Sequence, residues 1–181
     1  MYIDYTRDVP VMPKGLKQTS DVVQISARVN ESAANTFTQE TVSLDLNPLD
    51  NEVFVVVAID LNPTSPDAID GTNTITTGCL SFQSRTSIGF VDSNNVLASH
   101  SKAIRAADFA QGGVAFEDTS LDTPPAALDY IGIIATSDFF ISVQGTGNNA
   151  AGSMSARMWG YRARADSSVY AALVQSQVLS N

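Results

Sequence analysis

The sequence carries few of the side chains on which enzymes usually rely. It holds one cysteine (Cys79), one histidine (His100), one tryptophan (Trp159) and three lysines in 181 residues. A single cysteine excludes an intramolecular disulfide and any zinc site built on several thiolates. A single histidine leaves one candidate base for a Ser–His or Cys–His nucleophile system. No apolar run approaches the roughly 20 residues needed to cross a bilayer. Residues 1–20 contain no hydrophobic stretch of signal-peptide length. Neither a secreted precursor nor a membrane-spanning protein is expected.

Positive charge is also scarce. Three Lys and seven Arg stand against 15 Asp and four Glu, a net charge of −9. Lys14 and Lys17 precede the patterned part of the chain, and Lys102 is the only lysine after them. A surface of Asp, Thr, Ser and Asn suits high salt, where screening over a few ångströms mutes repulsion between carboxylates. Strand-and-turn proteins use the same residues for local reasons, so both explanations stay open. Broad contact with nucleic acid is disfavoured, because phosphate neutralisation needs clustered Lys and Arg. Only Arg157, Arg162 and Arg164 cluster, and Asp166 follows them. Cys79 reads as a small buried hydrophobe, with a bridge between two subunits as the minor alternative.

What the chain does have is period-two patterning. Val23, Ile25, Ala27 and Val29 alternate with polar neighbours, as do Val42, Leu44 and Leu46. Val53 to Ile59 is continuously apolar, the mark of a strand covered on both faces. Residues 62–73 read as a long loop and 74–84 as a strand with Gly78 as its bulge. A hairpin is expected around Asp92-Ser93-Asn94-Asn95. Gly112-Gly113 and Pro124-Pro125 bracket a loop with a short strand at Val114-Ala115-Phe116. Two strands, or one bent one, follow in residues 130–144. In the last strand Met154, Ala156 and Met158 share one side, and Trp159, Tyr161 and Ala163 the other. Either Gly160 is a bulge that re-aims the strand or both faces are covered. Val169, Tyr170, Leu173, Val174, Gln177 and Val178 form one helical stripe, capped by Asp166, Ser167 or Ser168. A helix this short is marginal alone and must dock on its own barrel or on a neighbour. The expected organisation is an extended arm over residues 1–20, a β-sandwich domain over 21–165 and a helical tail over 166–181. About eight short strands make it an all-β, eight-stranded jelly roll with a short C-terminal helix.

No catalytic, cofactor or metal residue is assigned. His100 stands between Ser99 and Ser101, but neighbours on a strand point to opposite faces and cannot form a dyad. No G-x-S-x-G elbow marks a distant serine, so His100 reads as an exposed strand residue. Gly145 to Ala150 (GTGNNA) spells a dinucleotide loop, but a strand rather than a helix follows, which leaves a Gly/Asn hairpin turn. Asp60, Asp67 and Asp70 lack the alternating oxygen ligands of a calcium loop and read as solvated carboxylates. Asn30-Glu31-Ser32 matches a glycosylation sequon that is common by chance. The surplus is in sticky surface. The Val53–Ile59 strand, Trp159 and Tyr161 are too apolar for a lone sandwich with two wet faces, since each buried side chain of this kind is worth about 1.5–3 kcal/mol. Tyr2, Ile3, Tyr5, Val9 and Met12 sit in an arm too irregular to build its own core.

An arm, a jelly roll of roughly 150 residues and a short terminal helix resemble the plan of single jelly-roll virus capsid proteins. The Asp-rich, Lys-poor composition is most similar to the smaller major capsid proteins of haloarchaeal icosahedral viruses with an internal membrane. No signature motif carries this resemblance; architecture and composition do, over residues 21–165. It implies a structural virion protein, located in the capsid and without enzyme activity. The partners it implies are copies of itself, a second, larger capsid protein and an internal membrane, with no direct nucleic acid contact. Trp159, Tyr161, the Val53–Ile59 strand and the C-terminal helix would be packing elements, and residues 1–20 an inter-subunit arm. The alternative is a carbohydrate- or ligand-binding β-sandwich of lectin or adhesin type; an enzyme on a β-barrel scaffold ranks below both.

Overall fold

The computed structural model describes residues 13–107, 115–120 and 128–179. Tyr2, Ile3, Tyr5, Val9 and Met12 of the arm lie outside the described residues, as do Gly112-Gly113 and Pro124-Pro125. The strands are β1 (Leu16–Gln18), β2 (Val23–Asn30), β3 (Thr38–Ser43), β4 (Glu52–Pro63), β5 (Thr74–Ser81), β6 (Val96–Arg105), β7 (Ala115–Ser120), β8 (Gly132–Ile134), β9 (Asp138–Thr146) and β10 (Ser153–Ala165). One α-helix, α1 (Ser167–Leu179), closes the order.

Two five-stranded antiparallel sheets form the sandwich. In the first, β10 pairs with β4 on one side and with β1 and β2 on the other, and β8 borders β4. The second runs β3–β9–β5–β6–β7. The pairs β2–β10, β3–β9, β4–β8 and β5–β6 are nested from the outside of the sequence inward. That nesting, with successive pairs alternating between sheets, is the jelly roll. The fold is therefore the expected sandwich, with β1 and β7 added to its eight strands. Residues 13–20 belong to it as well. β1 and β2 follow one edge of β10, broken only where the Arg162 amide donates to Ser20 Oγ at 2.9 Å. This part of the expected arm is held by its own sheet.

The core lies between the sheets. Val29, Phe54, Val56, Leu80, Ile134, Phe139, Ile141, Val143, Met154 and Met158 are its fully buried members. Strand β10 keeps strict alternation, with Met154, Ala156 and Met158 inward, and its outer face is covered from Tyr161 to Ala165. The register shift opposite Trp159 and Gly160 comes from β4, where Ala58 faces Trp159, Val56 faces Gly160, and Val57 is left over. The bulge is thus at Val57. Gly160 serves a different end: a Cβ there would overlap the Phe54 ring and the Val55 carbonyl. Gly78 is also not a bulge. It stays in register, and its missing Cβ admits Met154 from the facing sheet. Residues 82–95 form one long loop between β5 and β6, so the expected hairpin at 92–95 is a turn within it.

Helix α1 docks on its own barrel. Val169, Tyr170, Leu173 and Val174 cover Val53, Val55, Tyr161, Ala163 and Ala165 on the outer side of the first sheet. This explains the continuous apolar run: Phe54 and Val56 face the core, while Val53 and Val55 face the helix. The helix, Tyr161 and the first half of the run are consequently satisfied within one copy, contrary to the expectation that they pack between subunits. Burial, then the nearby Asp129 carboxylate and Tyr130, hold the Tyr161 phenol above its ordinary pKa. Asp166 is the N-cap, its Oδ1 accepting from the Val169 amide at 2.9 Å and from Ser168 Oγ at 2.8 Å.

The polar member of the helical stripe also has a role. Gln177 Nε2 donates to the Ile133 carbonyl at 2.6 Å, and Gln177 Oε1 accepts from the Ala135 amide at 3.0 Å. One amide side chain thereby takes the ladder position of a missing strand beside β8. Farther along the same edge β8 is absent, and the β4 carbonyls are met from the facing sheet. His100 Nδ1 lies 2.5 Å from the Leu61 carbonyl, and Lys102 Nζ donates to the Pro63 carbonyl at 2.9 Å.

Two outcomes are expected. Gln177→Leu leaves a buried amide and carbonyl unpaired and lowers stability by about 1–3 kcal/mol in thermal or denaturant unfolding, whereas Gln175→Ala, on the exposed side, changes little. The bonds from Val169 and Ser168 hold the Asp166 carboxyl below its ordinary pKa. Its contribution to the helix is therefore present above the ordinary carboxylate range and disappears as pH falls through the lowered value. Acid titration followed by helical circular dichroism is expected to show this loss in the wild type and not in Asp166→Ala.

Candidate functional site

His100 is the natural starting point. Its side chain is 14% exposed, so it is not the exposed strand histidine the pattern suggested. The ring projects between the sheets from β6. Its Nε2 pairs with Asp118 on β7, and its Nδ1 faces the Leu61 carbonyl on β4. An acid does sit where a triad would need one, but the other nitrogen meets a carbonyl oxygen instead of a hydroxyl or thiol. Ser99 and Ser101 point to the opposite side, where Ser101 Oγ bonds Thr77 Oγ1 at 2.9 Å. The geometry ties the β7 edge to the bare part of β4. A neutral imidazole can donate to only one of its two acceptors.

The GTGNNA segment closes one end of the barrel as the turn between β9 and β10. Glu31, 6% exposed, directs its carboxylate at this turn. Oε1 accepts from the Gly145 amide and Oε2 from the Gly152 amide, both at 2.6 Å. A Cβ at Gly145 would lie 2.7 Å from Asn148 Nδ2, so only glycine lets the turn close over Glu31. Asn148 Nδ2 reaches the Ile75 carbonyl at 2.9 Å, and Asn148 exchanges two bonds with Asn35. Asp67 Oδ2 accepts from the amides of Asn149 and Ala150 at 2.8 and 2.9 Å. Asp67 is therefore a cap on this turn and not a solvated carboxylate, whereas Asp60 and Asp70 are exposed as expected. Among the described residues no group of three His, Cys, Asp or Glu could hold a metal ion. Glu31 was hidden in the sequence by its place in a sequon. Its only signal was a carboxylate at the inward end of an alternating strand.

The outer faces differ from one another. Over the second sheet lies the 82–95 loop, with Ile88 and Phe90 beside a groove of about 460 Å³ that also meets Ile75 and Ala103. Beneath it Cys79 is fully buried, its Sγ 3.0 Å from Ser142 Oγ. A disulfide between subunits is thus out of reach without opening that layer. On the first sheet, α1 covers one half and leaves the other open. The open half is a grid fixed by register: Gln24, Trp159 and Ala58 in one row, Ser26, Arg157 and Asp60 in the next, and Arg28, Ser155 and Asn62 in the third. A shallow groove of about 430 Å³ runs across the last two rows. The Arg157 guanidinium stacks over the half-buried indole of Trp159, 5.6 Å from the ring centroid. Val57, 39% exposed at the bulge, borders this face.

No protein-family model matches the sequence, and no curated protein matches it. Among solved structures the chain is similar to a chain of desmodium yellow mottle tymovirus. That alignment covers 87% of this chain and 97% of the other at 7% identity, with a TM-score of 0.30.

Glu31→Gln places an amide nitrogen against a backbone N–H in a buried site. It is expected to cost about 1–3 kcal/mol in unfolding experiments, while Asn30→Ala, one residue earlier and exposed, stays within about 0.5 kcal/mol of wild type.

Proposed function

We propose that the protein is a structural subunit of a virus shell, which acts by tiling with copies of itself in the capsid. The observation that carries this reading is the division of labour over the first sheet. One half of its outer face is sealed by α1, and the other is left open with Trp159, Arg157 and Val57 on it. Further large apolar side chains are exposed elsewhere: Phe90 at 49%, Val91 at 64%, Phe116 at 58% and Leu49 at 94%. A block whose barrel end is pinned by Glu31, Asn148 and Asp67 keeps such surfaces in fixed relative positions, as a lattice requires. The finer version of the reading adds a second, larger capsid protein as neighbour, an internal membrane beneath the shell and a salt-rich setting. The Asp-rich, Lys-poor composition supports the setting, and the net charge of −9 supports a shell that does not touch the genome directly. The reading includes no catalysis, in keeping with the carbonyl partner of His100.

The groove beside Trp159 favours one other reading, a sugar- or ligand-binding module, because an indole, a carboxylate and amides share one sheet face. Against it, Arg157 occupies the ring face on which a sugar would stack. Sedimentation and negative-stain imaging in molar salt test the first reading, with concentration-dependent oligomers or sheets as the expected result. A monodisperse monomer at every protein and salt concentration, together with glycan-array binding, would replace it with the second.

A further inference from the structure

The shell reading leaves open which surface a neighbour occupies, and the charge distribution answers this. Resting on that reading, we infer that the open half of the outer first sheet, centred on Arg157, Trp159 and Arg28, is a docking face for exposed carboxylates of a second copy of this chain. The chain carries −9 overall, yet this face holds two guanidinium groups and a single carboxylate, Asp60.

The cations here are not spent on their own chain. Arg105, Arg162 and Arg164 pair with Glu117, Glu52 and Asp50. Arg28 instead bonds neutral groups, Asn30 Oδ1 and Ser153 Oγ, both at 3.1 Å. Those bonds fix the guanidinium without offsetting its charge. Asp60 is the cross-strand neighbour of Arg157, but the Arg157 guanidinium lies over the Trp159 ring. Both positive charges are thereby held in place on a shallow, flat surface with an apolar border at Val57 and Trp159.

The same molecule carries the opposite charge outside this face. Glu40, Asp70 and Asp92 are exposed carboxylates on other parts of the surface. A cationic face on one copy and free carboxylates elsewhere on the next make a head-to-tail contact, and contacts of that kind propagate into rings or sheets. Electrostatic matching of this sort sets register and specificity between partners.

The test compares wild type with Arg157→Glu, Trp159→Ala and the control Arg105→Glu, which lies over the second sheet. Self-association is measured by sedimentation velocity at about 0.1 M and about 1 M salt, and folding is checked by thermal unfolding. The expected result is about a tenfold or greater weakening for Arg157→Glu at low salt that shrinks at high salt. Trp159→Ala weakens association at both, and Arg105→Glu has no effect. If wild type associates and the folded Arg157→Glu and Trp159→Ala proteins associate equally well, the docking face is wrong while the shell reading stands. Wild type that never associates overturns both. Binding of an anionic glycan that depends on Arg157, with association unchanged, assigns the face to a different occupant and also overturns the inference.

Discussion

The architecture turns on the edge of the first sheet. The first part of β4, Val53 to Val56, is buried on both faces, yet the strand's hydrogen-bonding neighbour β8 is only three residues long. A row of backbone donors and acceptors would otherwise stand open, an invitation to promiscuous pairing. Three side chains from elsewhere complete it. Gln177 supplies both a donor and an acceptor beside β8, while His100 and Lys102 meet the β4 carbonyls beyond the point where β8 ends. The helix is thus held by two different forces, apolar burial along its length and one bidentate amide near its end. Among the remaining sheet edges, β3 carries Glu40 on its inward-facing register, a charge that discourages another strand from adding there.

Much of this was legible in the sequence where a physical period was strong. Alternation marked β2 and β10, the continuous run marked a strand covered twice, and the spacing from Val169 to Val178 marked the helix. The GTGNNA segment was rightly read as a turn because a strand followed it. What the sequence hid were contacts between residues far apart in the chain. Glu31 reaches amides 114 and 121 residues away, and Gln177 reaches β8 from 42 and 44 residues away. Periodicity reports which face a residue occupies and says nothing about which backbone group it meets there. The bulge was misplaced for a related reason. Gly160 looked like the irregular residue, but the extra residue was Val57 on the partner strand, visible only once the register is known.

The same distinction separates the two kinds of apolar surface. Val53, Val55 and Tyr161 looked like interface candidates and turned out to be satisfied by α1. Trp159 and Val57 lie just past the reach of that helix. A single short helix therefore sets how much of the sheet stays uncovered, by covering one part and leaving another. The end of the barrel shows a complementary economy. Two buried carboxyl and amide side chains, Glu31 and Asn148, order a turn rich in glycine and asparagine, so its backbone amides are satisfied without a regular ladder.

The nesting of strand pairs has a bearing on how the molecule comes into being. The innermost pair, β5–β6, is a hairpin in mid-chain, and the outermost joins β1 and β2 to β10, with the Asp166 amide reaching the Gly15 carbonyl at 2.9 Å. Partners so distant along the chain make for slow closure. On the ribosome, the first sheet must wait for its central strand, β10, which emerges after every other strand of that sheet. Until then β2 has no strand of its own sheet to pair with and β4 has only the short β8, so their apolar faces are open to disordered aggregation.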